Sequence, residues 1–315
     1  MKLPLIFVII QIFPFVRPFL SPLLSKRFSG PLGHVQTFTH GRTKLRATFA
    51  ELGKLSLKQV LADIRSDGDN NLDESKRFQG VSIARKSPTV CQFIIANPVN
   101  FFKNPDFASQ YGVDMDSIDK TEALGKLGEM LPVIYVADTH PEYGTVGFML
   151  NKRSPETVDA LYGGGLRCFR DRPLYIGGLS KKGSSFTMIH RIAGFPENRS
   201  WKGLPDKPDF RLYFSPDVAM ANELCSTNDA KPKDFKFFQW ATVWMPRQLE
   251  QEYQQRMWIT VEAPVELLFE DEDAVCPLYR RVLRSLPDET FALPSVPLVT
   301  NLAVPQTNDP GDSDS

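Results

Sequence analysis

A chain of 315 residues, 42% hydrophobic and 23% charged, carries enough apolar mass for a sizeable core, which excludes a wholly disordered protein. Its formal charge of zero is unevenly spread: residues 1–50 hold seven of the 37 Lys and Arg and no Asp or Glu, so the remainder is acidic by seven charges. An acidic body repels phosphate backbones, and broad nucleic-acid binding through counterion release is not supported.

Lys2 precedes an apolar run from Leu3 to Val16, broken only by Pro4, Gln11 and Pro14. Spanning a bilayer takes about 20 apolar residues, so this run suits a signal peptide better than an anchor, and no membrane segment is expected in the mature form. Residues 17–49 supply Ser, Thr, Phe, Pro and scattered Arg and Lys, the composition of an organelle transit peptide. A signal followed by a transit-like stretch resembles the bipartite leaders of algae with secondary plastids. Residues 1–49 are therefore read as a plastid-targeting leader, with a mitochondrial or secretory destination as the alternative.

Residues 50–90 follow as a helix and linker. Leu52, Leu55, Leu57, Val60, Leu61 and Ile64 recur at near-helical spacing and predict an amphipathic helix over 50–65. Asp67, Asp69, Asn71 and Asp73 alternate like calcium ligands, but Leu72 stands where the loop needs Gly and Phe78 where it needs Glu, so a solvated turn is expected. Strand-like runs lie at 92–96, 133–137, 145–150, 174–176, 186–190, 211–214 and 235–243. Helices are predicted at 115–130, at 217–224 behind the Ser215-Pro216-Asp217 start, at 246–255 behind Pro246, and at 274–285. Residues from about 294 read as a disordered tail. Strands and helices do not alternate regularly, which favours α+β over a doubly wound parallel sheet. Cys91, Cys168, Cys225 and Cys276 form no C-x-x-C pair and read as core thiols in a reducing compartment, with two disulfide bridges as the alternative.

Four stretches in order resemble the AlgH/YqgE family. The first is Phe93-Ile94-Ile95-Ala96-Asn97-Pro98 with Asn104-Pro105-Asp106-Phe107. Next comes Val133-Ile134-Tyr135-Val136, then His140, then the run Gly144 to Asn151. Pro173-Leu174-Tyr175-Ile176-Gly177-Gly178 with Met188-Ile189-His190 is the third, and Trp244, Gln248, Leu249, Glu250 and Glu252, with Trp258 and Ala263 beyond, the fourth. The resemblance implies an α+β fold with a mixed sheet curled into a pseudo-barrel flanked by helices, over 91–290, with an insertion at 108–131. It also implies a transcriptional regulator as the family is described, with no agreed enzymatic activity. Departures are the insertion, Lys152-Arg153 after Asn151 where the family has Arg-Pro, and Trp240 and Val243 where it has glycines.

No G-x-S-x-G elbow, Walker loop, dinucleotide fingerprint or H-E-x-x-H appears, so no catalytic residue, metal or cofactor is expected. Asp138, His140, Asn151 and His190 form the one constellation suited to binding a metal or moving a proton. Local backbone hydrogen bonding is the other reading of both histidines. Gly177 and Gly178 suit either a phosphate or a strand bend. Trp244, with Trp240, Trp258 and Tyr253, suits either core filling or ligand stacking. Gln248, Glu250 and Glu252 suit a partner contact or a solvated helix face. The function expected is a non-catalytic binding or regulatory protein for a protein or small-molecule partner, with a metal-dependent or hydrolytic enzyme built on His140 and His190 as the alternative.

Overall fold

The computed structural model describes residues 78–84, 86–114, 130–178, 186–193, 195, 199–200, 212–215, 217–272 and 277–287. The leader, the 50–65 helix, the 67–73 turn, all but the last residue of the 115–130 helix, Cys276 and the tail lie outside the described residues.

Among the described residues, strands form two six-stranded sheets. The first is antiparallel throughout, in the order β1 (Ser82–Ile83), β12 (Trp258–Glu262), β2 (Phe93–Ala96), β3 (Val133–His140), β4 (Gly144–Met149) and β11 (Thr242–Trp244). The second runs β5 (Arg153–Thr157), β6 (Pro173–Ile176), β10 (Phe235–Gln239), β7 (Phe186–His190), β9 (Tyr213–Ser215) and β8 (Arg199–Ser200), with β6 and β10 parallel. Helices α1 (Pro98–Lys103), α2 (Pro105–Ser109), α3 (Val158–Leu161), α4 (Val218–Ser226), α5 (Gln248–Gln254), α6 (Glu266–Phe269) and α7 (Leu278–Ser285) complete the described fold, which is mixed α+β. None is long and apolar enough to cross a membrane.

The central strands β6, β10 and β7 of the second sheet are covered on both faces, and their side chains divide by the period of two. Leu174, Met188, Phe235 and Phe237 pack with Val218 and Ala221 of α4 in one cluster. Their neighbours Tyr175, Ile189 and Phe238 join the larger cluster built on β2, β3 and β12. That interface merges the two layers.

The run expected as one strand over 235–243 is two strands in different sheets. Trp240 takes a left-handed φ of 64°, and the chain turns there from β10 into β11. Gly177 makes the crossing compatible with both sheets: its N–H donates to the Gln239 carbonyl at 2.8 Å, and its own carbonyl accepts from Met149 N–H at 2.9 Å and the Thr242 hydroxyl at 3.0 Å. A Cβ on Gly178 would stand 2.0 Å from the Ala241 carbonyl, and one on Gly177 would stand 2.4 Å from the Trp240 oxygen. Backbone atoms cannot move aside as flexible side chains can, so both positions require glycine for close approach.

Helix starts also differ from expectation. Asp217, not Ser215, caps α4, its Oδ1 accepting from Met220 N–H at 2.9 Å. α5 begins at Gln248 because Arg247 sits at a φ of 66°, outside the helical region. α7 begins after Pro277. Asn97-Pro98 and Asn104-Pro105 open α1 and α2 with proline at the first turn, where its missing N–H costs nothing.

Candidate functional site

The densest polar arrangement gathers on a residue read as solvent-facing. Glu252 lies one turn after Leu249 on the inner face of α5 and is 5% exposed. Its Oε2 accepts from the Trp258 indole N–H at 2.7 Å, the Tyr111 hydroxyl at 2.7 Å and the Trp244 indole N–H at 2.9 Å. Gln248, one turn earlier, donates Nε2 to Glu252 Oε1 at 2.9 Å and accepts Met245 N–H on its own Oε1 at 2.9 Å. The Trp244 N–H is shared with the Tyr111 oxygen, also at 2.9 Å. Burying an ionisable carboxyl is costly unless its oxygens are met by donors, and here four side-chain donors converge on them. Burial and the adjacent Glu252 carboxylate raise the Tyr111 hydroxyl well above its ordinary value, which keeps it a donor.

An aromatic shell seals the arrangement. Tyr111 meets Trp258 edge-on at 4.8 Å between centroids, Phe101 meets it at 5.2 Å, and Trp244 meets it at 6.4 Å. Asn100 Nδ2 donates to the Arg256 carbonyl at 2.7 Å and so ties α1 to the end of α5. Trp244 and Gln248 are thus structural members of one network, while Glu250 stands exposed beside it.

The other candidates fall elsewhere. His140 is exposed at the end of β3, stacks on Tyr143 at 4.2 Å and accepts Glu142 N–H on Nδ1. His190 is buried on the second sheet among Phe195, Tyr213 and Phe235. Its Nδ1 accepts Ile192 N–H at 3.2 Å, its Nε2 has no hydrogen-bond partner among the described residues, and burial lowers its pKa to about 4. The two histidines stand on different sheets, and no group of three or more His, Cys, Asp or Glu suited to a metal occurs among the described residues. Asn151 is buried and clamps the start of β3, its Oδ1 accepting Val133 N–H at 3.0 Å and its Nδ2 donating to the Leu131 carbonyl at 2.8 Å. Gly177 and Gly178 fill the crossing between sheets.

A second buried charge escaped sequence reasoning. Lys236 lies wholly buried on the inner face of β10, 4.1 Å from the Tyr175 ring centroid, and donates to the Glu270 carbonyl. Asp271 pairs with Arg172 and accepts from the Tyr175 hydroxyl, Glu270 pairs with Arg281, and Glu272 accepts the Leu278 N–H that opens α7. Burial lowers the Lys236 amine to about 7 against the opposing pull of Asp271 and Glu272, and burial raises Glu272 to about 7.

The described fold is a two-sheet α+β architecture in which a buried carboxylate pins α5 to the first sheet. The chain belongs to the AlgH-like family, DUF179, whose pattern it matches over residues 131–290. A UPF0301 protein of Chromohalobacter salexigens is 33% identical over 141 residues, covering 43% of this chain and 71% of that one. Two solved structures are similar at lower identity. The solution structure of the Pseudomonas aeruginosa AlgH protein is 19% identical with a TM-score of 0.39, over 60% of this chain and 86% of that one. A crystal structure of a Corynebacterium diphtheriae protein is 20% identical with a TM-score of 0.43, over 65% and 91%.

Two predictions follow from the buried charges. Glu252→Leu strands the Trp258 indole N–H, the Tyr111 hydroxyl and the Gln248 amide, leaving the Trp244 N–H only the Tyr111 oxygen, and it is expected to lower unfolding free energy by about 3 kcal/mol or more in urea titration. Glu252→Gln keeps one accepting oxygen and should cost about 1–2 kcal/mol, the Gln248 amide turning over at the expense of Met245 N–H. Equal losses in the two variants would show that the donors find other partners.

For the second pair the sign is set by the direction of each shift. Glu272, raised from 4.5 to about 7, contributes stability below pH 4.5 that is lost as pH climbs through about 7. Lys236, lowered from 10.5 to about 7, contributes stability that grows as pH rises from about 7 toward 10.5. Their joint contribution is least near neutrality, and Lys236→Met is expected to flatten the alkaline limb of a Tm-against-pH profile. An unchanged alkaline limb would show that the amine carries no such desolvation.

Proposed function

We propose that this AlgH-like protein is a non-catalytic interaction module with a regulatory role, and that it takes an extended segment of a protein partner along the free edge of β11. One observation carries the reading: among the described residues β11 ends the first sheet and turns apolar side chains outward, Val243 being 37% and Met245 58% exposed, while Trp244 between them is buried in the Glu252 network. Tyr143, stacked on His140 in the β3–β4 hairpin, extends the patch, since Gly144 packs directly against the Trp244 and Met245 backbone. An unprotected edge with apolar side chains is a liability unless something pairs with it, and strand addition is the mode that such an edge supports. The two sheets, joined through Gly177, are read as an incompletely rolled pseudo-barrel that presents this edge. The acid-free leader supports import into a plastid of a secondary-plastid alga.

A photo-crosslinking side chain at position 243 of the full chain is expected to give a discrete protein adduct that Met245→Glu abolishes and Glu250→Lys leaves intact. An adduct insensitive to Met245→Glu would remove the edge from the reading. For the leader, a fluorescent fusion of residues 1–60 should accumulate in plastids, and secretion or mitochondrial signal would overturn the destination.

A further inference from the structure

A pocket of about 170 Å³ opens between the loop after α2, the start of β3 and the β4–β5 connection, lined by Tyr111, Gly112, Met130, Pro132, Met149, Asn151 and Lys152. It is separate from the β11 edge, although Tyr111 belongs both to its wall and to the Glu252 network. We infer that this pocket binds a small, singly charged carboxylate with an apolar body, its carboxylate held by Lys152 and the Asn151 amide.

The chemistry of the lining argues for an anion. Lys152 is partly buried and donates to the Gly112 carbonyl at 3.1 Å, which uses one of its three N–H groups. No carboxylate pairs with it among the described residues, and burial alone lowers its pKa, as expected for a cation short of counter-charge. Asn151, more than nine-tenths buried, spends its oxygen on Val133 N–H and one amide hydrogen on the Leu131 carbonyl, leaving a second amide hydrogen. Among the described residues, three donors without a partner therefore stand on adjacent residues, and the Tyr111 hydroxyl is already committed to Glu252.

The rest of the lining sets charge and size. Met130, Met149 and Pro132 offer no donor to a second negative charge, so a dianionic phosphate would enter with one charge unmet and desolvated. Thioether and ring surfaces instead favour an aliphatic or aromatic body. A cavity near 150 Å³ accommodates benzene, so the ligand body is on the order of six non-hydrogen atoms. The wall is already set: Lys152 holds Gly112, Asn151 holds both ends of the turn into β3, and Glu252 holds Tyr111.

Calorimetric titration of the full chain with four probes tests this: benzoate, 3-methylbutanoate, benzyl alcohol as the uncharged counterpart, and phenyl phosphate as the dianion. Benzoate and 3-methylbutanoate are expected to bind about tenfold or more tightly than the alcohol and the phosphate, since a buried charge-assisted hydrogen bond separates them. Lys152→Met should lose that advantage while Lys152→Arg retains it. Melting temperatures of both variants close to that of the parent chain establish that the loss is at the pocket. Equal binding of benzyl alcohol, tighter binding of phenyl phosphate, undiminished binding by a folded Lys152→Met chain, or no binding of any probe at millimolar concentration would each overturn the proposal.

Discussion

Glu252 is the constraint on which the C-terminal half of the first sheet depends. Its two oxygens accept from Tyr111 beyond α2, 141 positions away in the chain, and from Trp244 on β11, Trp258 on β12 and Gln248 on its own helix, so distant segments meet at one carboxylate. Such a hub costs desolvation and returns specificity: all four donors end on this carboxylate, and a shifted helix would leave several buried N–H and O–H groups unmet at once. An apolar residue there would fill the space without fixing how α5 sits on the sheet. The aromatic shell of Phe101, Tyr111, Trp244 and Trp258 keeps water from competing for the same oxygens.

The two sheets meet under a different constraint, steric and not electrostatic. At Gly177 and Gly178 the backbone passes so close to Trp240–Thr242 that no side chain fits, and hydrogen bonds from three directions converge on Gly177. A strand passing from one sheet to another must turn without leaving its polar groups unpaired. Trp240 accomplishes the turn on one partner by a positive φ, and Gly177 supplies on the other the N–H and carbonyl that the turn requires. Lys236, the second residue of β10, sits on the inner side of this junction, so the acidic segment of residues 270–272 closes over a layer boundary and not over solvent.

Much of the fold was legible because apolar runs bounded by Gly, Pro or Asn announced β2, β3, β4, β6 and β7, and the Trp244 to Glu252 stretch carried the family resemblance. What was missed has identifiable causes. A glutamate on a short helix is ordinarily solvated, and only the coincidence of Glu252 with Leu249 on one face, beside two tryptophans needing acceptors, hinted otherwise. Lys236 inside Phe-Lys-Phe-Phe reads as the outward position of an alternating strand, a reading that fails when a sheet is covered on both faces. β12 has a strand signal in Ile259, Thr260 and Val261, all β-branched, that followed too closely on the predicted helix to be separated from it. The break between β10 and β11 carried no turn residue at all, since Trp240 adopts a conformation that tryptophan rarely takes.

Pocket and edge are coupled by construction. Tyr111 forms part of the pocket wall, and its hydroxyl ends on Glu252. Gln248, bound to the same carboxylate, accepts the N–H of Met245, the most exposed apolar residue of the β11 edge. Two short steps through one buried group therefore separate the Lys152 pocket from the surface proposed for a partner. A rigid hub of this kind transmits position and not motion: it holds both surfaces in one register, so a change at either is resisted by the full set of bonds to Glu252. Pre-set walls reduce the ordering cost of binding at each surface, which is the advantage that a small module with a short edge and a small pocket most needs.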